Sequence, residues 1–261
     1  MNFNRIKAII ARHLYNLRHN LDRLTDSFYW PAIDIVMWGL TSQYLQQADQ
    51  PVNNLVLIIL SGLIFWQVVW RSQYEISVNL LEELWSQNLV NLFATPLTVA
   101  EWIIGLFALG LINIVLSVSF AGVLAWLLYS INLLDFSWLL LVFFAGLLIM
   151  GWWTGLIVAG LIIVYGKNIQ AFAWAGVFLL APFSAIYFPL DSLPLWAQKI
   201  AQILPSSYIF EGMRYNIATG KIPWLNLGVS FSLNILYLAA SCVFFQLCFR
   251  KSQQLGLSRL E

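Results

Sequence analysis

The chain has 261 residues, 61% of them hydrophobic and 10% charged, with a mean hydropathy of +0.78. A soluble domain of ordinary composition is about 45–50% apolar and about 25% charged, so the composition excludes disorder, an extracellular disulfide scaffold and a nucleic-acid-binding domain. Thirteen basic against twelve acidic residues leave +1 and no field for a polyanion, and Cys242 and Cys248, sharing one apolar run, suit neither a disulfide framework nor a zinc site.

The first element is an amphipathic helix over residues 1–27. Ile6, Ile10, Leu14, Leu17, Leu21, Leu24 and Phe28 recur at helical steps, while Arg5, Arg12, Arg18, Asn20 and Arg23 line the opposite face. Such a basic helix is expected to lie in the headgroup plane of a bilayer; the alternative is packing against the protein's own parts. His13 and His19 on this helix lack partners for a metal site.

Six apolar stretches follow, at 28–46, 54–74, 102–130, 136–165, 169–189 and 223–249, continuous and without the alternation of a membrane β-barrel. About 20 apolar residues cross roughly 30 Å of hydrocarbon, so the expected fold is all-α with six transmembrane helices. The first stretch is the weakest, being interrupted by Pro31 and Asp34. Asp34 is the only ionisable residue read as lying well inside a span. It is either a pathway or interface residue or, if that span starts later, a residue near the headgroups.

Lys and Arg set the orientation. Ten fall in residues 1–27, in 71–101, at Lys167 and in the tail 250–261, against three (Lys199, Arg214, Lys221) on the other side. Both termini are therefore expected in the cytoplasm of a multi-pass protein of the inner or plasma membrane. The chain reads as one domain, 1–261, with a six-span bundle over 28–249 and a tail over 250–261.

Between the second and third spans, residues 75–101 are too polar to cross a bilayer yet carry helical apolar spacing at Ile76, Leu80 and Leu84 and again at Trp85, Leu89 and Leu92. Pro96 forces Thr95 out of the helical region. Thr98 followed by Glu101 is a capping box that restarts a helix; Glu101 could also pair with the basic N-terminal helix. The stretch is either a well-capped connector or a docking element for a soluble partner. Gly151 and Gly155 form a small-xxx-small pair suited to close packing within the chain. After the fifth span, two short helices are expected to begin near Ser192 and near Ser206 or Ser207, with Glu211 and Arg214 paired at i, i+3.

This order of parts resembles the membrane subunits of type-2 ABC transporters over essentially the whole chain. The resemblance rests on the amphipathic N-terminal helix, on Leu92-Phe93-Ala94-Thr95-Pro96-Leu97-Thr98 with Glu101 and Gly105, and on Phe188-Pro189, Leu193-Pro194-Leu195-Trp196, Pro205, Tyr208, Glu211 and Arg214. It implies six spans, a dimer, and a cytoplasmic coupling helix near residues 80–95 seated in a cleft of an ATPase subunit, with Glu82, Glu83, Leu84, Trp85, Asn88, Thr95, Pro96 and Glu101 as its coupling residues. It also implies short external re-entrant helices bearing Trp196, Tyr208, Glu211 and Arg214.

No GxxxxGK[ST] loop is present; Gly160 to Gly166-Lys167 has one residue too many and ends in Asn168. ATP and Mg are therefore expected on a separate ATPase chain, with no cofactor, catalytic residue or metal in this one. The expected function is the permease subunit of an ATP-driven exporter working with a second copy of itself, with no nucleic-acid partner and a lipid-linked glycan or polysaccharide as substrate. Alternatives are a lipid, a hydrophobic drug-like molecule or, in another class, a membrane-embedded enzyme. Asp34, Trp38, Tyr44 and Trp174 are the candidate pathway residues, the deep aromatics either stacking on substrate or merely packing.

Overall fold

The computed structural model describes residues 1–19, 21–47 and 55–256, with the backbone alone for 16–19, 21–24, 45–47 and 55. Leu17, Arg18, His19, Asn20, Leu21, Arg23, Leu24 and Arg259, read above for charge or periodicity, lie outside the described side chains. All regular structure in the described residues is helical.

Helix α1 (Phe3–His19) precedes α2 (Leu21–Gln47), and α3 (Leu55–Trp85) runs unbroken into the turn before α4 (Leu89–Ala94). Gln87 takes a left-handed φ of 52° in that turn. The capping box opens α5 (Val99–Tyr129): the Thr98 hydroxyl accepts from the Glu101 N–H at 3.2 Å, and the Glu101 carboxylate accepts from the Thr98 N–H at 3.0 Å. Helix α6 (Leu139–Tyr165) ends at Gly166, and a short α7 (Ala171–Ala175) follows. Then come α8 (Leu195–Ala201), α9 (Pro205–Thr219), with Pro205 at its first turn, and α10 (Trp224–Gln254). Gly220 closes α9 at φ 69°, a left-handed position that glycine takes without strain.

Four helical segments are long and apolar enough to cross a membrane among the described residues: Val56–Trp85, Val99–Tyr129, Leu139–Ile169 and Trp224–Gln254. The first is the centre of the bundle, 83% buried along its most apolar stretch. It packs on α5, α6, α2 and α7, while α10 covers the far side of α6. The Gly151 and Gly155 pair serves this packing. A Cβ on Gly151 would lie 2.7 Å from the Val69 carbonyl oxygen, and one on Gly155 would lie 3.2 Å from the Gln73 Cα. The spacing predicted a close approach, and this one is made within the chain.

The first and fifth expected spans differ from the reading. Residues 28–46 belong to α2, which begins at Leu21, so Pro31 sits inside a continuous helix rather than interrupting it. Proline has no N–H to give the carbonyl four residues back, and the Ser117 hydroxyl of α5 donates to that carbonyl, on Ser27, at 3.0 Å. Residues 169–189 are not one helix. They form 3₁₀ turns at Gly166–Ile169, Gly176–Leu179 and Ala181–Phe183 around α7, with Ala185 at φ 56°. Gly176 and Pro182 disfavour a continuous helix here, and α3 takes up the carbonyls set loose. Gln73 Nε2 donates to Ala173 O at 2.9 Å and Trp70 Nε1 to Trp174 O at 3.3 Å. An irregular backbone at membrane depth is tolerable only with such partners.

At one end of the bundle α1 lies across the start of α5, with Ile6, Ile9 and His13 buried and the Ile9 side chain against Gly105. This buried stripe packs on the protein itself, and Lys7, Ala8, Ala11 and Arg12 lie on the exposed face of the helix.

Candidate functional site

Three groups of residues were expected to act, and the structure separates them. At the α1 end lies the α4 corner. Glu83 is 2% exposed and accepts from Arg12 Nη2 at 2.9 Å and from Asn88 Nδ2 at 2.7 Å, so it ties α1 to the turn. Leu84 is fully buried in the core and cannot present a docking face, which corrects its place among the coupling contacts. Trp85 is 44% exposed, its ring stacked on Trp174 at 5.9 Å. Glu82 is half-buried, and its backbone carbonyl accepts from the Ser86 hydroxyl. Trp85, Ser86, Gln87, Val90, Asn91, Ala94, Thr95 and Pro96 form the exposed surface. Glu101 does both things weighed for it: besides the cap it accepts from the Asn2 N–H at 2.6 Å and lies 3.5 Å from Arg5, whose guanidinium also donates to the Pro96 carbonyl.

The second group is split. Asp34 accepts from Gln67 Nε2 at 2.8 Å, and Trp38 stacks on Tyr187 with centroids 5.1 Å apart, so α2, α3 and the segment after α7 meet there. Tyr44 is 70% exposed at the far end of α2. Trp174 bridges this group and the corner: its carbonyl accepts from Trp70 Nε1, about one turn along α3 from Gln67, while its ring lies against Trp85, about 27 Å along α3 from Gln67 at 1.5 Å per residue. Gln67 and Tyr187 were missed by the sequence reading, and only Gln67, a polar residue in an apolar run, carried a signal.

The third group forms a clamp. Glu211 accepts from the Leu190 N–H at 2.7 Å and from Arg214 Nη1 at 2.9 Å, and Arg214 Nη2 donates to the carbonyls of Ala185 and Ile186. The pair therefore holds the left-handed residue Ala185 in place as well as bridging its own helix. Burial lowers the Arg214 pKa from its ordinary value, opposed by the neighbouring Glu211 charge. Tyr208 donates to the Gln202 carbonyl at 2.9 Å, and Trp196, 62% exposed, meets Phe183 edge-on at 5.9 Å. The turn between α8 and α9 reaches well down α10, where Tyr237 donates to the Ile203 carbonyl at 2.9 Å.

Asp34 is not the only ionisable group deep in the bundle, contrary to the sequence reading. Arg71 and Glu75 are 1% and 3% exposed on α3. Glu75 accepts from Asn113 Nδ2 of α5 at 2.8 Å and from Asn79 Nδ2 at 3.1 Å. Asn113 lies about 21 Å into α5, nearly halfway along it. Arg71 donates to the Asp26 carbonyl of α2 and lies over the Trp70 and Tyr74 rings at 4.8 and 5.5 Å. The usable signal was the lack of any Gly or Pro between Gly62 and Pro96, which lets one helix carry the apolar run and its polar continuation together.

A bundle of apolar helices with a broken segment at 166–183, a capped corner at one end and a folded-back helix pair at the other has the layout of a polytopic membrane protein. Comparison with protein families agrees. The ABC-2 type transporter family matches residues 6–218, and the chain belongs to that family. It is a membrane permease of an ABC transporter, and the family implies association with an ATPase subunit. A search of curated proteins returned no match.

Proposed function

We propose that two copies of this chain enclose an export pathway, and that separate ATPase chains, holding ATP and Mg on their own side, drive it by engaging the α4 corner. Both termini face the cytoplasm of the cell membrane in this reading. Helix α2 and the broken segment 166–183 complete six crossings. At 1.5–2.0 Å per residue the latter covers about 30 Å, the thickness of the hydrocarbon.

The observation that carries the reading is α3. One unbroken helix carries Gln67, bonded to Asp34, at one level and Trp85 beside the corner at another. A push on the corner is thus delivered along a stiff rod to the residues around Asp34, and through the Trp85–Trp174 stack to the broken segment. The substrate is a lipid-linked glycan, whose sugar rings would use aromatic faces on α2 such as Tyr44. A hydrophobic drug-like molecule or lipid is the second reading, favoured by the exposed Met37 and Leu40 on the same helix.

The test changes only exposed corner positions. Trp85→Glu with Val90→Glu places two carboxylates on a surface that must be desolvated against a partner. The doubly changed chain should insert and fold normally but lose copurification of its ATPase and all ATP-dependent transport in vesicles. Normal binding and transport by that variant would remove the corner as the docking surface.

A further inference from the structure

Where α1 crosses the α4 corner, a cavity of about 250 Å³ opens between Ile9, Leu92 and Trp102, with Arg5 and Arg12 on its rim. Its walls are apolar, while the charge it exposes is cationic. The Arg5 and Arg12 side chains are 37% and 42% exposed, whereas their carboxylate partners Glu101 and Glu83 are 1% and 2% exposed. Arg12 commits only Nη2 to Glu83 among the described residues, leaving donors of its guanidinium fork to meet an anion.

A second observation points to a ligand. Trp102, 1% exposed and a wall of the cavity, carries an indole N–H with no hydrogen-bond partner among the described residues. A buried donor of this kind costs free energy until an acceptor arrives. The cavity sits at the first turn of α5, level with the end of a candidate span, and α1 also carries Tyr15, 67% exposed. Amphipathic aromatic side chains favour the membrane–water boundary.

We infer that this cavity is a binding site for an anionic phospholipid of the leaflet at the α1 end. A single molecule satisfies every wall. Its phosphate meets Arg12 and Arg5, an ester carbonyl accepts from the Trp102 indole, and the first part of an acyl chain covers Ile9 and Leu92. A soluble anion leaves the apolar walls bare, and a zwitterionic lipid sets its own cation against the two arginines. The lipid wedges α1 against Pro96, to which Arg5 already donates. It therefore stiffens the corner, so lipid composition tunes coupling. That last consequence rests on the docking role proposed above, whereas the site itself does not.

Native mass spectrometry of the full chain, released from micelles holding equal phosphatidylglycerol and phosphatidylcholine, tests the site without any ATPase. The expected result is retention of one phosphatidylglycerol per chain, about tenfold over phosphatidylcholine. Arg12→Gln should cut that preference about fivefold, the effect of one basic residue near an anionic surface. Two further variants probe the cavity itself. Ala8→Trp fills it from an exposed wall position and should weaken retention while leaving the unfolding temperature without lipid nearly unchanged, whereas Trp102→Phe removes the donor together with part of a buried indole and should weaken retention with a modestly lower unfolding temperature. Equal retention of the two lipids, undiminished retention by Ala8→Trp, or equal stabilisation of the chain by inorganic phosphate alone would overturn the proposal.

Discussion

Asn113 and Glu75 join α5 to α3 in the middle of the bundle, and removing one partner should cost more than removing both. Asn113→Leu keeps the branching at Cγ but withdraws the 2.8 Å bond from a carboxyl that is 3% exposed. An unsatisfied buried acceptor costs about 1–3 kcal/mol, so the single variant should lose about 2 kcal/mol. Glu75→Leu should lose a similar amount by stranding the Asn113 amide. Asn79 is not stranded by that change, because its Nδ2 also donates to the residue-75 carbonyl at 2.5 Å. The double variant leaves two leucines facing one another and should recover to within about 1 kcal/mol of the parent.

The assay is reversible unfolding in mixed micelles against the mole fraction of dodecyl sulfate, followed by tryptophan fluorescence. Additive losses, or a double variant worse than either single one, would refute the claim that this pair joins the two helices.

Three further outcomes are expected. Gly151→Ala should destabilise by about 1–3 kcal/mol in the same assay, because its Cβ would fall 2.7 Å from a backbone oxygen, while Gly228→Ala, with open space around it, should not. Arg214→Met should raise hydrogen exchange at residues 185–190 and leave α10 protected, since the carbonyls of Ala185 and Ile186 and, through Glu211, the Leu190 N–H lose their holder; uniform loss of protection would point to general unfolding instead. Trp38→Ala should lower transport per folded molecule, with Trp38→Tyr retaining part of it, whereas Trp174→Ala should change the coupling of ATP hydrolysis to transport, because its ring rests on Trp85 rather than near Asp34; equal transport losses without a coupling defect would return Trp174 to the pathway.

Much of this protein was legible in one dimension. Apolar runs longer than the bilayer is thick can only be helices there, so the all-helical class and the spans at 102–130, 136–165 and 223–249 follow from composition and length. Local rules sufficed where the partners are three or four residues apart: the Thr98–Glu101 box and the Glu211–Arg214 pair formed as read, and the helix expected to start near Ser206 or Ser207 begins at Pro205. The small-xxx-small pair at Gly151 fixed a close approach, though not which helix makes it.

What the sequence left open was decided by contacts between segments distant in the chain. Nothing local tells whether Leu84 points at a partner protein or into the core, and α3 packing on α6 chose the core. Nothing local places Glu75 beside Asn113, Gln67 beside Asp34, or Trp174 beside Trp85, since each pair depends on helix rotation and depth set by the whole bundle. The break at 166–183 has the same origin. An isolated apolar segment in lipid would stay helical to satisfy its own backbone, and only the donors that α3 offers from Trp70 and Gln73 make an irregular path there tolerable. The tertiary structure decided it because a backbone can leave the helix in a membrane only where another element supplies the hydrogen bonds it gives up.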